Sequence, residues 1–568
     1  MKMAASLVGQ IAIPLPNPDV PPFFRITGLP PRIFIHPGHR LLVAVRHRED
    51  RLLRQLHRRD QFSGNRFPIH FVMAESTTLK EMFSDQSSRD VEGRTLGTGL
   101  EKARRRVMVI GLDCAAPELI FDRWLDDLPN LKSLCRSGLH GPRRSCDPPI
   151  TVPAWSVMMS SKSPGRLGVY GFRNRADYSY DRYSIANSLA IKEDRLWDIL
   201  SRNGKRSIVI GVPGTYPPRP LNGLMVTDFL TPDTTCEYTH PPELKQEIER
   251  VVGEYILDVR DFRSGNKEKI LADIYEMTRK RFQLARHLLA KENWDYFMMV
   301  EMGVDRIHHA LWDNMDPAHR FYVPGNKFEN AIRDYYREID REIGELLAFA
   351  DDTTAVLVVS DHGAKRMDGG ICVNEWLIAN GYLALVEKPA RATPLSKVKV
   401  DWSRTKAWGD GGYYARVFLN VAGREPNGTI APADYEKVRD ELSVGLKAIP
   451  DENGHAIGTQ VFRPEELYKE VRGVAPDLIV YFGGLYWRSV GMVGGEKIHT
   501  FENDTGPDGA NHSENGIFLF RPANGDLPGG RRIDGVRIID IAPMILQLFG
   551  LPVPGDMEGK PFASVDLS

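Results

Sequence analysis

The sequence predicts an α/β fold: a mostly parallel central sheet with helices on both faces and a smaller α+β insertion. Three observations point there. Short, continuous apolar runs recur along the chain; helical stretches separate them; and aspartates and histidines sit just past the ends of several runs. Val107–Leu112 (VMVIGL), Ser207–Val212 (SIVIGV), Tyr296–Glu301 (YFMMVE) and Ala355–Ser360 (AVLVVS) lack polar alternation, as strands buried on both faces require. Pro129–Gly138, Leu196–Asn203, Lys267–Lys291 and Phe328–Phe349 read as the helices between them. The pattern loosens after Tyr382. Residues 385–470 mix short strands with one helix near Pro432–Leu446 and are expected to form an insertion or cap. Leu478–Phe482 and Gly516–Phe520 read as further core strands. On this reading the core occupies 106–384 and is completed by 471–568.

Composition narrows the class. The 568 residues are 42% hydrophobic and 26% charged, which excludes a wholly disordered chain, a collagen and a small disulfide scaffold. The net charge of −1 hides an uneven distribution. Residues 1–72 hold eleven basic and four acidic side chains, and Arg40–Arg59 alone carries seven arginines. Residues 1–105 are therefore expected to be a basic, poorly ordered N-terminal extension. The competing reading makes that arm a contact for nucleic acid, in a non-enzymatic binding protein. No aromatic-interleaved or helix-turn-helix pattern supports it. Five cysteines without a C-x-x-C pair fit a reducing compartment. No apolar run reaches the roughly 18–20 residues that span a bilayer, and Met1–Gln10 lacks a signal-peptide shape. A cytoplasmic protein is expected.

Ligand groups in open α/β sheets collect beyond the carboxyl ends of the strands. Asp113 follows the first run, Asp305 lies four residues beyond the third, and Asp361 and His362 follow the fourth. If Gly303–Trp312 is helical, Asp305 and His309 share a face, while His308 points about 100° away. Asp361-His362-Gly363 has a flexible glycine that could wrap a turn around an ion. His512 sits in a polar loop just before Gly516–Phe520. Oxygen and nitrogen donors without thiolates suit Zn²⁺, with Mn²⁺ or Fe²⁺ as alternatives. Six donors exceed what one catalytic zinc uses, but suit two ions roughly 4 Å apart that clamp an in-line displacement at phosphorus or sulfur.

Thr151 follows a Pro-rich approach, Asp147–Ile150, and precedes an expected helix over Ala154–Ser161. It reads either as an N-cap or as a nucleophile at a helix start that attracts anions. Here the sequence resembles the alkaline phosphatase superfamily, specifically its type I phosphodiesterase/nucleotide pyrophosphatase branch. The resemblance rests on Gly111-Leu112-Asp113, Thr151–Ser156, Ser163-Pro164, Gly168–Tyr170, Asp305-x-x-x-His309, Asp361-His362-Gly363, Asn511-His512 and the closing stretch Asp540–Gly559, in the family's order. It implies an alkaline-phosphatase-like fold and hydrolysis of a small-molecule phosphate ester or nucleotide. It further implies one ion on Asp305, His309 and His512, and a second on Asp113, Asp361, His362 and the Thr151 oxygen. Thr151 would attack phosphorus and form a phosphothreonine. Phosphomonoester and phosphonate hydrolysis remain alternatives within the superfamily. The run after the nucleophile departs from the family's T-G…P…H-G, reading Ser160-Ser161…Pro164…Leu167-Gly168. Asn174, Lys365 and Arg366 are candidate substrate contacts.

Overall fold

The computed structural model describes residues 33–36, 40–43, 105–525 and 529–561. The chain divides into two units, Met1–Leu100 and Glu101–Ser568. In the first, Ile33–His36 pairs antiparallel with Arg40–Val43. The other residues of the basic arm, up to 104, lie outside the described residues, and with them the expectation of poor order.

The second unit is built on a ten-stranded mixed sheet. Its strands are β1 (Arg106–Leu112), β2 (Leu139–Arg144), β3 (Ser207–Ile210), β4 (Gly223–Val226), β5 (Thr239–His240), β6 (Tyr296–Glu301), β7 (Thr354–Val359), β10 (Asn515–Arg521), β11 (Arg531–Arg532) and β12 (Val536–Arg537). The numbers β8 (Gly363–Arg366) and β9 (Ala510–Ser513) belong to a separate antiparallel pair beside it. The order is β11-β2-β10-β7-β1-β6-β3-β4-β5, with β12 also beside β2. The central strands β7, β1, β6, β3 and β4 run parallel. All of β6 and β7, and all of β1 after Arg106, is buried. Each large apolar side chain these strands take from water contributes about 1.5–3 kcal/mol to the core.

Helices α1 (Pro129–Ser137), α2 (Thr151–Ser160), α3 (Leu196–Arg202), α4 (Lys267–Lys291), α5 (Gly303–Met315), α6 (Ala331–Leu347) and α7 (Ile541–Leu548) cover the sheet. Among the described residues no helix is long and apolar enough to cross a membrane. The expected α/β fold with a mostly parallel sheet is what the chain forms. The run read as Gly516–Phe520 is β10, a core strand as expected, and it runs antiparallel between β7 and β2. One strand differs from expectation. Leu478–Tyr481 does not join the core. It pairs antiparallel with Ala415–Leu419 and Gln460–Phe462 in a four-stranded sheet of the insertion. Apolar composition marks a buried strand without naming its ladder partner, which is why Leu478–Tyr481 reads as a core strand in the sequence. The insertion's own apolar core runs from Ile371 to Val493, wider than the 385–470 read from the sequence.

Candidate metal centre

Three adjacent parallel strands deliver the site. Asp113 directly follows β1, and Asp361 and His362 follow β7 after Ser360, with Val359 opposite Gly111 in the shared ladder. On the other side of β1, β6 leads into α5, which carries Asp305 and His309 one turn apart. His512 lies on β9 opposite Ala364 of β8, so a long-range antiparallel pair brings it beside Asp361 and His362. Gly363 is needed here for space rather than for an unusual backbone: a Cβ would lie 2.2 Å from the Asn515 carbonyl oxygen. Thr151 is the first residue of α2, after an extended Ile150 at the N-cap (φ −135°, ψ 135°). The N-cap reading of Thr151 is thereby corrected. Its Oγ1 lies 3.3 Å from His362 Nε2.

The donors fall into two groups. Asp113, Asp361 and His362 form one, and Asp305, His309, His512 and Cys114 the other, with the donor atoms of each group within 4.8 Å of one another. The groups abut: the rings of His362 and His512 stack with centroids 3.8 Å apart. Every one of these side chains is buried. Four of their atoms (Asp113 Oδ1, Asp305 Oδ1, Asp361 Oδ2 and His512 Nε2) have no hydrogen-bond partner. Buried unpaired oxygens and nitrogens are costly, and a cation shared among them satisfies them together. Oxygen and imidazole donors converging in this way fit a divalent metal.

Neighbouring groups fix the donors. His512 Nδ1 donates to the Pro149 carbonyl at 2.9 Å and His362 Nδ1 to the Gly363 carbonyl at 3.1 Å. Since a carbonyl only accepts, both Nε2 atoms keep a lone pair for a metal. His309 Nδ1 lies 2.8 Å from Asp508 Oδ1, and Asp508 in turn accepts from Arg263 Nε at 2.8 Å. Trp155 Nε1 donates to Asp113 Oδ2 at 2.7 Å. Arg306 pairs with Asp305 and, through two bonds of 2.7 and 2.8 Å, with Asp258. Tyr413 reaches in from the insertion, stacks on His512 at 3.9 Å and places its hydroxyl 3.1 Å from His309 Nε2.

Charge follows from these contacts. Burial, then the Asp361 and Asp305 carboxylates, pushes the Asp113 carboxyl well above its ordinary range. Burial does the same to Asp361, to which the Asp305 charge adds. Burial also tends to raise Asp305, but His309 and Arg306 outweigh it and hold this carboxyl well below the ordinary range. Burial lowers His362 to about 4 and drives His512 down as well, so both imidazoles are neutral near pH 7. Burial pulls His309 down too, yet Asp508 and Asp305 lift it to about 9. Burial, followed by the Asp305 charge, pushes the Cys114 thiol up. The Arg306 and Arg143 charges oppose this rise at Asp113 and Asp361 without cancelling it.

All seven positions Asp113, Thr151, Asp305, His309, Asp361, His362 and His512 therefore meet. His308 faces Tyr336 instead, its Nε2 3.2 Å from the phenol, as helix geometry requires. The three expected substrate contacts are engaged elsewhere. Asn174 is buried and bonds within its own loop, accepting from Tyr170 N at 2.7 Å and donating to the Gly171 carbonyl at 2.9 Å. Lys365 pairs with Glu514 at 2.8 Å and Arg366 with Asp368 at 2.5 Å. Of the insertion aromatics, Trp408 is buried in the insertion's own core and Tyr414 bonds the Tyr170 carbonyl, so Tyr413 alone of these three touches the centre. Sequence reasoning missed Cys114, Asp508, Arg306 and Asp258. Cys114, adjacent to Asp113, and Arg306, adjacent to Asp305, carried a local signal; Asp508 and Asp258 did not. Asp508→Asn is expected to weaken divalent-metal affinity roughly 10–100-fold by releasing the His309 ring, as read by titration against a competing chelator.

Strand-end carboxylates and imidazoles on a mostly parallel sheet, with a hydroxyl at a helix start beside them, define a metal-binding hydrolase of the alkaline phosphatase superfamily. The model of the family described as type I phosphodiesterase/nucleotide pyrophosphatase matches residues 107–508, and the chain belongs to that family. It is a hydrolase of phosphoester bonds, which sets aside the non-enzymatic reading. Among solved structures, phosphonoacetate hydrolase from Sinorhizobium meliloti 1021 is similar in fold, with a TM-score of 0.51 and 15% identity over 79% of this chain and 95% of that one. Human ectonucleotide pyrophosphatase/phosphodiesterase 5 aligns with a TM-score of 0.48 and 13% identity over 80% of this chain and 97% of that one. Among curated proteins, none matches the chain by sequence.

Proposed function

We propose that the protein is a phosphodiesterase that cleaves small-molecule phosphodiesters or nucleotide pyrophosphates through Thr151, with two divalent ions, Zn²⁺ foremost. The observation that carries this reading is the Thr151 hydroxyl, 3.3 Å from His362 Nε2 at the first turn of α2. Asp113, Asp361 and His362 would hold one ion beside it, and Asp305, His309 and His512 the other. When bound, such ions lower the pKa of a coordinated hydroxyl or water and offset the charge of a phosphate. The start of α2 orients Oγ1, and its unpaired N–H groups favour an anion there. Thr151 Oγ1 forms a bond to phosphorus as the ester oxygen leaves. Water then cleaves the phosphothreonine and restores the hydroxyl.

Metal-loaded protein is expected to hydrolyse bis(p-nitrophenyl) phosphate with a higher kcat/KM than p-nitrophenyl phosphate. A preference for the monoester would make it a phosphomonoesterase, and faster cleavage of phosphonoacetate than of either ester a phosphonate hydrolase. The cytoplasmic assignment rests on five cysteines, none in a disulfide. Recovery of the protein from an extracytoplasmic fraction of its source would overturn it.

A further inference from the structure

Cys114 follows Asp113 and is fully buried. Its Sγ shares a space with donor atoms of Asp305, His309 and His512, all within 4.8 Å of one another. Two of the atoms facing that space, Asp305 Oδ1 and His512 Nε2, are buried without a hydrogen bond. His309 Nε2 lies 3.2 Å from Asp305 Oδ1 but off hydrogen-bond geometry. Sγ itself lies 3.4 Å from the Gly363 carbonyl oxygen, a weak contact for a thiol. The Cys114 backbone has φ 65°, in the left-handed region that glycine adopts at no steric cost. A glycine would suit the turn better and would bring no donor.

We propose that Cys114 supplies a thiolate as the fourth protein ligand of the ion held by Asp305, His309 and His512. The inference rests on the metal-dependent reading above. It gives that ion two nitrogens, one oxygen and one sulfur, and a fifth position stays free for water or a phosphate oxygen. The Asp113–Asp361–His362 group keeps three donors and an open side toward Thr151. Loading releases the Cys114 thiol proton to solvent, with no change of oxidation state. The two positions then differ in preference. A thiolate favours Zn²⁺ and Co²⁺ over Mn²⁺ and Mg²⁺, whereas the open group has only oxygen and nitrogen donors.

Cobalt substitution tests this in the full-length protein. Visible d–d bands report that Co²⁺ is bound, and a near-ultraviolet thiolate-to-cobalt charge-transfer band reports sulfur ligation. Wild type is expected to show both. Cys114→Gly, which accepts φ 65° without strain, and Cys114→Ser are expected to keep the visible bands and lose the charge-transfer band. Their preference for Zn²⁺ over Mn²⁺ should fall at least about tenfold. X-ray absorption of zinc-loaded wild type should show sulfur at about 2.3 Å. Bound cobalt with no charge-transfer band, or a band that persists in Cys114→Gly, overturns the ligand role of Cys114 and leaves the metal-dependent function standing. Failure of wild type to bind cobalt or zinc overturns both.

Discussion

Thr151→Ala in the metal-loaded protein is expected to lower kcat/KM for bis(p-nitrophenyl) phosphate by at least roughly a thousandfold, about 4 kcal/mol of transition-state stabilisation. The substitution removes the one hydroxyl that the start of α2 presents to the donor groups. Ser156, one turn along, cannot replace it, because its hydroxyl donates to the Val152 carbonyl at 2.7 Å. The fold should tolerate the change, since alanine has high helix propensity and the only side-chain hydrogen bond of Thr151 is the one to His362 Nε2. Metal content should stay near wild type, because the carboxylate and imidazole donors remain. Thr151→Ser keeps the hydroxyl at the same helix start and is expected to retain activity within about tenfold. A quenched single turnover should trap phosphate on Thr151 in wild type and not in the alanine variant. Alanine activity above about a tenth of wild type would remove Thr151 from the chemistry.

Asp113→Asn is expected to abolish activity and yet to stabilise the metal-free protein. Burial, reinforced by Asp361 and Asp305, raises this carboxyl in the folded state above its ordinary value of 3.8. A group raised on folding binds its proton more tightly when folded, so stability falls as pH climbs above 3.8 toward the raised value. In chelator, the melting temperature of Asp113→Asn relative to wild type should therefore rise as pH climbs above 3.8. Asparagine can still accept from Trp155 Nε1 through its carbonyl. In chelator at pH 8 the variant should melt about 1 °C above wild type, a change of about 1 kcal/mol. Saturating metal should reverse that order, because wild type then gains binding energy that the variant lacks. A variant that melts below wild type in chelator would show that the charge on Asp113 is offset by the protein alone.

Much of the site was legible because its signals are local. Each of β1, β6 and β7 is a run of adjacent apolar residues, and Asp113, Asp361 and His362 stand within three residues of a strand end. Asp305 and His309 are set one helical turn apart by their spacing alone. The contacts that tune these donors are not local. His309 and Asp508 are 199 residues apart, and Tyr413 is 104 residues from His309. Lys365 and Arg366 stand beside Asp361 and His362, and their ion pairs with Glu514 and Asp368 are set by the folded chain. The antiparallel course of β10 and the transfer of Leu478–Tyr481 to the insertion were hidden for the same reason: ladder partners are chosen in space.

Residue type and spacing thus determined the α/β architecture, the six carboxylate and imidazole donors, and the threonine at a helix start. These depend on which atoms a side chain carries and on a backbone period of two or 3.6 residues. The tertiary structure decided that the donors form two abutting groups, that Thr151 lies within α2 rather than capping it, and that Cys114 joins the group of Asp305. It also decided the charge state of each donor. Electrostatic energy depends on distance and on burial, and both arise only when strands far apart in the chain are laid side by side.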